Sequence, residues 1–159
     1  MGKVYYRSPV GVLEIITYDG FLTNINMVDF IGNDEPDEPA TEVLRQLGAY
    51  FDRKLTKFDL PVKLSGNGFC RRVWESMTQI PYGMVVTYGE LAAMAGSPKA
   101  YRSAGSCAGK NPIPIVIPCH RVVAGSGIGG FSLGLDVKRK LHSIENIDLQ
   151  NSNNNSTKK

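Results

Sequence analysis

The first third of the chain alternates apolar and polar positions as strands do. Val4-Tyr5-Tyr6 and Val12-Leu13-Glu14-Ile15-Ile16 flank the turn sequence Ser8-Pro9-Val10-Gly11, which together predict a β-hairpin. A third strand is expected from Phe21 to Phe30. Residues Gly32 to Pro39 read as an acidic, Pro-containing loop. From Thr41 to Phe51, apolar residues at 43, 44, 47 and 51 follow a helical period. Residues 52–65 read as a linker with an extended piece.

A domain boundary is expected near Ser65-Gly66, giving an N-terminal domain over 1–65 and a C-terminal domain over 66–147. Beyond the boundary the period becomes helical. Phe69, Val73, Met77 and Ile80 recur at spacings of four, four and three, and Pro81-Tyr82-Gly83 stops that helix. Phe69 and Trp74 are expected in the core. Thr87-Tyr88-Gly89-Glu90 fits a capping box, in which hydroxyl and carboxylate each satisfy an orphan amide. Leu91, Ala92 and Ala95 continue a short helix that Gly96 ends. Ser97-Pro98 then predicts a second helix, with Ser as N-cap and Pro in the first turn. Two short helices across a tight turn make a helix-turn-helix pattern.

Small residues dominate the second helix, Lys99 to Gly109. Two readings fit: close packing on another helix, or close approach to a DNA groove with Arg102 or Lys99 reaching in. Ile113 to Ile117 predicts a buried extended segment. A Gly-rich loop follows at 125–130. Leu133, Val137, Leu141 and Ile144 define a last amphipathic helix, with Lys138, Arg139 and Lys140 as a solvated face and His142 as a surface residue. The tail 148–159 is Asn/Ser/Lys-rich and is expected to be disordered. No internal repeat is visible.

Composition narrows the class. Of 159 residues, 42% are hydrophobic and 21% charged, which suits a packed core and excludes wholesale disorder. No apolar run reaches the roughly 18 residues of a spanning helix, and the N-terminus lacks the apolar core of a secretory signal. Three Cys without a CxxC, and two His, are poor material for a disulfide framework or a zinc site. No cofactor or metal is therefore expected, and a reducing cytoplasmic setting (nuclear in a eukaryote) is. Residues 1–65 balance to −3 and residues 66–147 to +5. A basic second half suggests a polyanionic partner.

Cys119 is the candidate nucleophile. The thiolate is the reactive form, and nearby positive charge or a base lowers a thiol's pKa. His120 is the adjacent base. Neighbouring side chains on a strand point apart, so a water relay or a local helical turn is needed between them. An isolated Cys is more often buried and inert, and Cys70 and Cys107 are read that way. The run Pro118-Cys119-His120-Arg121-Val122 reverses the weighting at 119.

Ile117-Pro118-Cys119-His120-Arg121-Val122-Val123 resembles the active-site signature of the O6-alkylguanine-DNA alkyltransferases. The resemblance extends to Phe69 through Trp74, Ile80-Pro81-Tyr82-Gly83, Thr87 to Ala92, Gly96-Ser97-Pro98-Lys99-Ala100 with Arg102, Asn111-Pro112, Gly129-Gly130-Phe131-Ser132, and Lys138 to Glu145. It is strongest over residues 66–147; Tyr6 to Leu13 resembles the family's N-terminal hairpin less specifically. The architecture implied is α/β (α+β): a small ribonuclease H-like three-stranded antiparallel sheet with a helix, then a mostly helical domain carrying the helix-turn-helix and the thiol.

The resemblance also implies roles. Cys119 would accept an alkyl group from the guanine O6, His120 would deprotonate it through a water, and Glu145 would hold His120 by its other ring nitrogen. Asn111 would brace the active-site segment. Tyr88 would donate to guanine N3. Arg102 would fill the gap left by a flipped base, beside DNA contacts at Ser97, Lys99, Ala100 and Tyr101. Val122, Phe131, Ser132 and Pro114 would line the substrate pocket. Phe131 stands where many members have Tyr, and no Cys or His precedes Cys70 to form the zinc site of some members. The implied partner is double-stranded DNA containing O6-alkylguanine, or by extension O4-alkylthymine, met by a monomer that is consumed as it repairs. A cysteine hydrolase lacks a second convincing base or oxyanion motif. A helix-turn-helix regulator leaves the Pro-Cys-His-Arg segment unexplained, and a non-catalytic lesion-binding module is the remaining alternative.

Overall fold

The computed structural model describes residues 1–66 and 68–149. It divides into two compact units, one of residues 1–65 with 112–114 and one of residues 66–111 with 115 onward. The tail expected to be disordered lies, from residue 150 on, outside the described residues.

In the first unit, strands β1 (Gly2–Ser8), β2 (Gly11–Tyr18) and β3 (Phe21–Val28) form an antiparallel meander. Its register sets Val4 opposite Ile15 and Ile15 opposite Ile25. One face therefore carries Val4, Leu13, Ile15 and Ile25, all buried, as the period of two requires. The first turn closes through Ser8, whose hydroxyl donates to Gly11 O (2.6 Å) and accepts from Val10 N (3.1 Å). Asp19 and Gly20, both at positive φ, make the second, the backbone that two-residue hairpin turns favour.

Helix α1 (Glu38–Phe51) covers the apolar face with Ala40, Val43, Leu47 and Tyr50. Each fully buried aliphatic side chain contributes about 1.5–3 kcal/mol. The helix starts three residues before the expected Thr41, because Asp37 caps it by accepting from Ala40 N (2.9 Å). Part of the expected linker is structured. Gln46 is buried and holds both backbone groups of Asp59, while Leu22 N donates to Pro61 O and Lys63 N to Leu22 O.

The second unit is mostly helical: α2 (Phe69–Met77), α3 (Tyr88–Met94), α4 (Tyr101–Gly109) and α5 (Leu135–Ile144), with a parallel pair formed by β4 (Val86–Thr87) and β5 (Val122–Val123). Helices α2, α3 and α4 pack on one another through Val73, Met77, Leu91, Ala92, Ala104 and Ala108. The capping box at Thr87 and Glu90 is present in both directions. Gly96, at φ +88°, ends the chain's run after α3. Among the described residues no helix is long and apolar enough to cross a membrane.

Several expectations are corrected here. The second helix starts at Tyr101, not Ser97. Residues 97–100 form a turn closed by Ala100 N donating to Ser97 O, and no side chain caps the helix. Ile113 to Ile117 is buried except at the half-buried Val116, and it is not a strand; Ile115 turns the chain at φ +75°. Phe69 and Trp74 are half-buried rather than core, and the Trp74 indole donates to Cys107 O (2.7 Å). Cys70 and Cys107 form a disulfide between α2 and α4. The sequence separation of 37 residues does not announce that pairing; the packing of α2 on α4 makes it.

Candidate active site

The segment that carries Cys119 is fixed before the thiol is reached. Ile113, Ile115 and Ile117 are buried anchors. The positive φ of Ile115 is strained for a β-branched residue, and such strain persists where the surroundings over-determine it. The Asn111 amide donates to Ile117 O (2.7 Å). Pro118 then leads into a single 3₁₀ turn over Cys119–Arg121, closed by Arg121 N donating to Pro118 O (3.0 Å). A local helical turn is one of the two arrangements expected between the adjacent thiol and imidazole; a water relay is the other. Immediately afterwards β5 pairs with β4, setting Thr87 opposite Val123, and β4 runs directly into Tyr88 at the start of α3.

Beneath the turn lies a buried polar cluster. His120 is fully buried, and its Nε2 meets Glu145 Oε2 at 2.5 Å. Arg121 grips the same carboxylate with Nε (2.8 Å) and Nη2 (3.1 Å), and donates through Nη1 to Ile80 O (2.7 Å). Glu145 Oε1 also accepts from Gly83 N (3.0 Å), and the Tyr82 hydroxyl donates to Ile144 O (3.2 Å). The Ile80-Pro81-Tyr82-Gly83 motif is thus the bracket for the end of α5. That end is cut by a Schellman motif: Ile147 N donates to His142 O and Asn146 N to Ser143 O, with Asn146 at φ +56°.

The electrostatics follow from this geometry. The hydrogen bonds and the positive Arg121 outweigh burial and hold Glu145 well below the usual carboxylate range. Burial pushes the His120 pKa down despite that carboxylate, so the ring is neutral and donates from Nε2 to Glu145. Nδ1 is then the basic nitrogen. It is buried and takes no hydrogen bond from a protein group among the described residues. Cys119 is 5% exposed, and burial pushes its pKa up to about 11, against an opposing hydrogen bond from Asn111 and the charge of Lys138. The resting group is a thiol, so reaction needs a base.

A pocket of about 230 Å³ opens over Cys119, lined by Tyr88, Gly105, Ala108, Gly109, Gly130, Phe131 and Ser132. Two glycines make room for Tyr88. A Cβ at Gly105 would stand 3.3 Å from its ring, and one at Gly129 2.9 Å from its hydroxyl and 3.0 Å from Ala124 N. Of the pocket residues expected from sequence, Phe131 and Ser132 line it. Val122 is buried and offers its carbonyl to Lys138, and Pro114 clusters with the first unit; neither is in the lining. Lys99, Tyr101 and Arg102 are exposed, and Ser97 and Ala100 half-exposed. The Arg102 guanidinium lies over the Tyr101 ring, 5.8 Å from its centroid.

Three residues escaped the sequence reading. Lys138 is fully buried rather than on a solvated face, and His142 is buried, donating through Nε2 to His120 O (2.7 Å). Arg121 was seen only as part of the signature. The available signal was spacing: 138, 142 and 145 fall on one face of α5. Among the described residues no cluster of His, Cys, Asp and Glu is arranged to hold a metal ion.

Two sequence-family patterns cover nearly the whole chain. The 6-O-methylguanine DNA methyltransferase DNA binding domain matches residues 68–147, and the ribonuclease-like domain of the same enzymes matches residues 1–64. The chain belongs to the 6-O-methylguanine DNA methyltransferase family. It is 43% identical over 145 residues to the methylated-DNA–protein-cysteine methyltransferase of Mycolicibacterium paratuberculosis, covering 87% of this chain and 88% of that one. It is 44% identical over 110 residues to the enzyme of the same name from Methanosarcina barkeri, covering 69% and 70%. The structure of Mycobacterium tuberculosis OGT in complex with DNA is similar, with TM-score 0.82 and 38% identity over 90% of this chain and 91% of that one. Membership of the family accounts for the α/β architecture, for a DNA partner and for repair by alkyl transfer.

Proposed function

We propose that the protein repairs duplex DNA by moving the alkyl group of O6-alkylguanine onto Cys119 in a single irreversible turnover, acting as a monomer. The observation that carries this reading is the orientation of His120. Glu145 fixes one nitrogen as a donor, and the other is left as a buried base on the residue next to a buried thiol.

His120 takes the Cys119 proton, directly or through a water. The thiolate attacks the alkyl carbon in line with the breaking bond to O6. The S–C bond forms, the electron pair of the C–O bond stays with guanine, and guanine takes up one proton. Tyr88 donates a hydrogen bond to the departing ring and makes it a better leaving group. The products are a thioether and ordinary guanine. Nothing in the cluster can break the thioether, so each molecule acts once.

The O6 atom cannot be reached inside a duplex, so the base must be turned out. The pocket volume lies below the roughly 300–1,000 Å³ of sites for drug-sized ligands and suits a single base. The turn between α3 and α4 and the start of α4 would meet DNA as a helix-turn-helix, with Arg102 entering the gap left by the flipped base. Unstacking costs a few kcal/mol, which an inserted side chain and phosphate contacts offset.

The test is a titration of duplex DNA carrying one O6-methylguanine, read by loss of the lesion. One lesion should vanish per protein molecule, and none with Cys119→Ser, which should still bind. Lesions removed in excess of protein would contradict single turnover. Tight binding without loss would make this a lesion-recognition module.

A further inference from the structure

Helix α4 carries more of the site than its sequence can hold in place. Gly105, Ala108 and Gly109 line the pocket, and the exposed Tyr101 and Arg102 stand at its start. Small residues are needed there, since a Cβ at Gly105 would already stand 3.3 Å from the Tyr88 ring. The result is a helix with little of its own to stabilise it. It is nine residues long, no side chain caps its start, and its buried face is Ala104, Cys107 and Ala108. Isolated helices below about 12–15 residues are marginal, glycine inside a helix weakens it further, and alanine side chains bury little apolar area. Against this, Cys107 is tied twice to α2. A disulfide joins it to Cys70, and its carbonyl accepts from the Trp74 indole (2.7 Å). The Cys107 end of the bridge is buried and the Cys70 end is half-buried.

We propose that the Cys70–Cys107 pair is a reversible redox site: as a disulfide it holds α4 against α2 in the form that binds damaged duplex, and as a dithiol it releases that hold and weakens duplex binding. The proposal rests on the functional reading above and adds to it a control outside the Glu145–His120–Cys119 line. The reagent is a low-molecular-weight thiol with its disulfide, RSSR. In the closing direction the Cys70 thiolate attacks one sulfur of RSSR, whose S–S bond breaks and releases RS⁻. The Cys107 thiolate then attacks Cys70 Sγ of the mixed disulfide, forming the bridge and releasing a second RS⁻. The two protons lost by the cysteines leave with the two small thiols, so one disulfide is reduced as the other forms. Opening is the reverse, beginning with attack on the half-buried Cys70 sulfur. Which form prevails is set by the thiol–disulfide poise of the surroundings. The same chemistry spares Cys119. The attacking species is the thiolate, and Cys119 is 5% exposed with its pKa pushed by burial up to about 11. The reactive thiol therefore stays free while the pair switches.

The experiment equilibrates the full chain in mixtures of oxidised and reduced glutathione and divides each sample three ways. Intact mass with peptide mapping counts the bridge, amide exchange reads the order of α4, and methyl transfer from a duplex carrying one O6-methylguanine is followed against DNA concentration. Reducing mixtures should add two hydrogens, mapped to Cys70 and Cys107, in a protein that stays folded. Oxidising mixtures should remove them again, with Cys119 free throughout. Opening should speed exchange in α4 and leave β1 to β3 unchanged. It should raise the half-saturating DNA concentration about threefold, the shift expected when about one reduced molecule in three holds α4 in place, and leave the rate at saturation unchanged. Cys70→Ala with Cys107→Ala should match the reduced wild type in every mixture, although alanine favours a helix more than cysteine does. A bridge that opens only when the whole protein unfolds, glutathione taken up at Cys119 in its place, or equal half-saturating concentrations for the two forms would each overturn the proposal. Should the double variant not fold, the two forms of the wild type still decide. A wild type that transfers no methyl in either form defeats the functional reading, and the affinities of the two forms for the modified duplex, measured directly, then test the bridge.

Discussion

The two units bury different things. In the first, the interior is Val4, Leu13, Ile15, Leu22, Ile25, Ala40, Val43 and Leu47, and the buried polar residues are Thr17 and Gln46. In the second, His120, Arg121, Lys138, His142 and Glu145 are all buried. Apolar burial is non-directional and stabilises whatever satisfies it. Buried charges cost several kcal/mol each in lost hydration and recover it only with good geometry. A unit that buries three charged side chains and two imidazoles around one thiol is organised for chemistry, and a unit that buries no charged side chain is organised for folding.

This contrast has measurable consequences. The largest is at Glu145. Glu145→Ala leaves Arg121 without its counter-charge and frees His120, and should cost about 3–5 kcal/mol in urea unfolding, with methyl transfer abolished. Leu13→Ala in the first unit should cost about 2–5 kcal/mol through its cavity, with no dependence on pH.

The pH signature separates the two units. Glu145 has a depressed folded pKa. Its contribution is complete above the ordinary carboxylate value of about 4.3 and is lost as pH falls through the folded value. His120 is buried neutral. The unfolded chain gains its proton below about pH 6.5, so stability also falls as pH drops through that window. Amide exchange followed from pH 7 to pH 4 should show protection in α5 and β5 falling before that in β1 to β3. A uniform loss would mean that the polar cluster does not set the stability of the second unit.

Next in size is Gly129→Ala. It sets a methyl against the Tyr88 hydroxyl and the Ala124 backbone at φ +75°, and should cost about 1–3 kcal/mol together with methyl transfer. The smallest effect on stability is at Arg102, which is exposed. Arg102→Ala should leave unfolding unchanged and slow reaction with duplex DNA about tenfold, for roughly 1.4 kcal/mol of lost support to the flipped state. Reaction with a free modified base should be unaffected. Equal slowing on both substrates would remove Arg102 from base flipping.

The first unit was legible because its physics is local. Period-two strands, a turn sequence and an amphipathic helix each follow from neighbouring residues. The start of α1 was misplaced because Pro39 lies in the first turn, inside the stretch read as loop. In the second unit Thr87, Glu90 and Gly96 spoke plainly, because capping is also local. Ser97-Pro98 carried the right residues for a helix start, yet the chain uses them for a turn. Cys119 and His120 stand out as an adjacent thiol and base, but Glu145 and Asn111 enter only through the family resemblance, since Glu145 reaches His120 from 25 residues away. Lys138, His142 and the Cys70–Cys107 pair depend wholly on tertiary packing. A lysine beside Arg139 and Lys140 looks like a solvated face until two carbonyls of the Gly-rich loop and one of β5 close around it.

The most direct test of the account is the intact mass of the protein after mixing with a duplex carrying one O6-methylguanine, followed by peptide mapping. The account predicts a gain of one methyl group per molecule, located on Cys119, with no gain on Cys70 or Cys107. A protein that removes the lesion with unchanged mass, or that carries the methyl elsewhere, would contradict it.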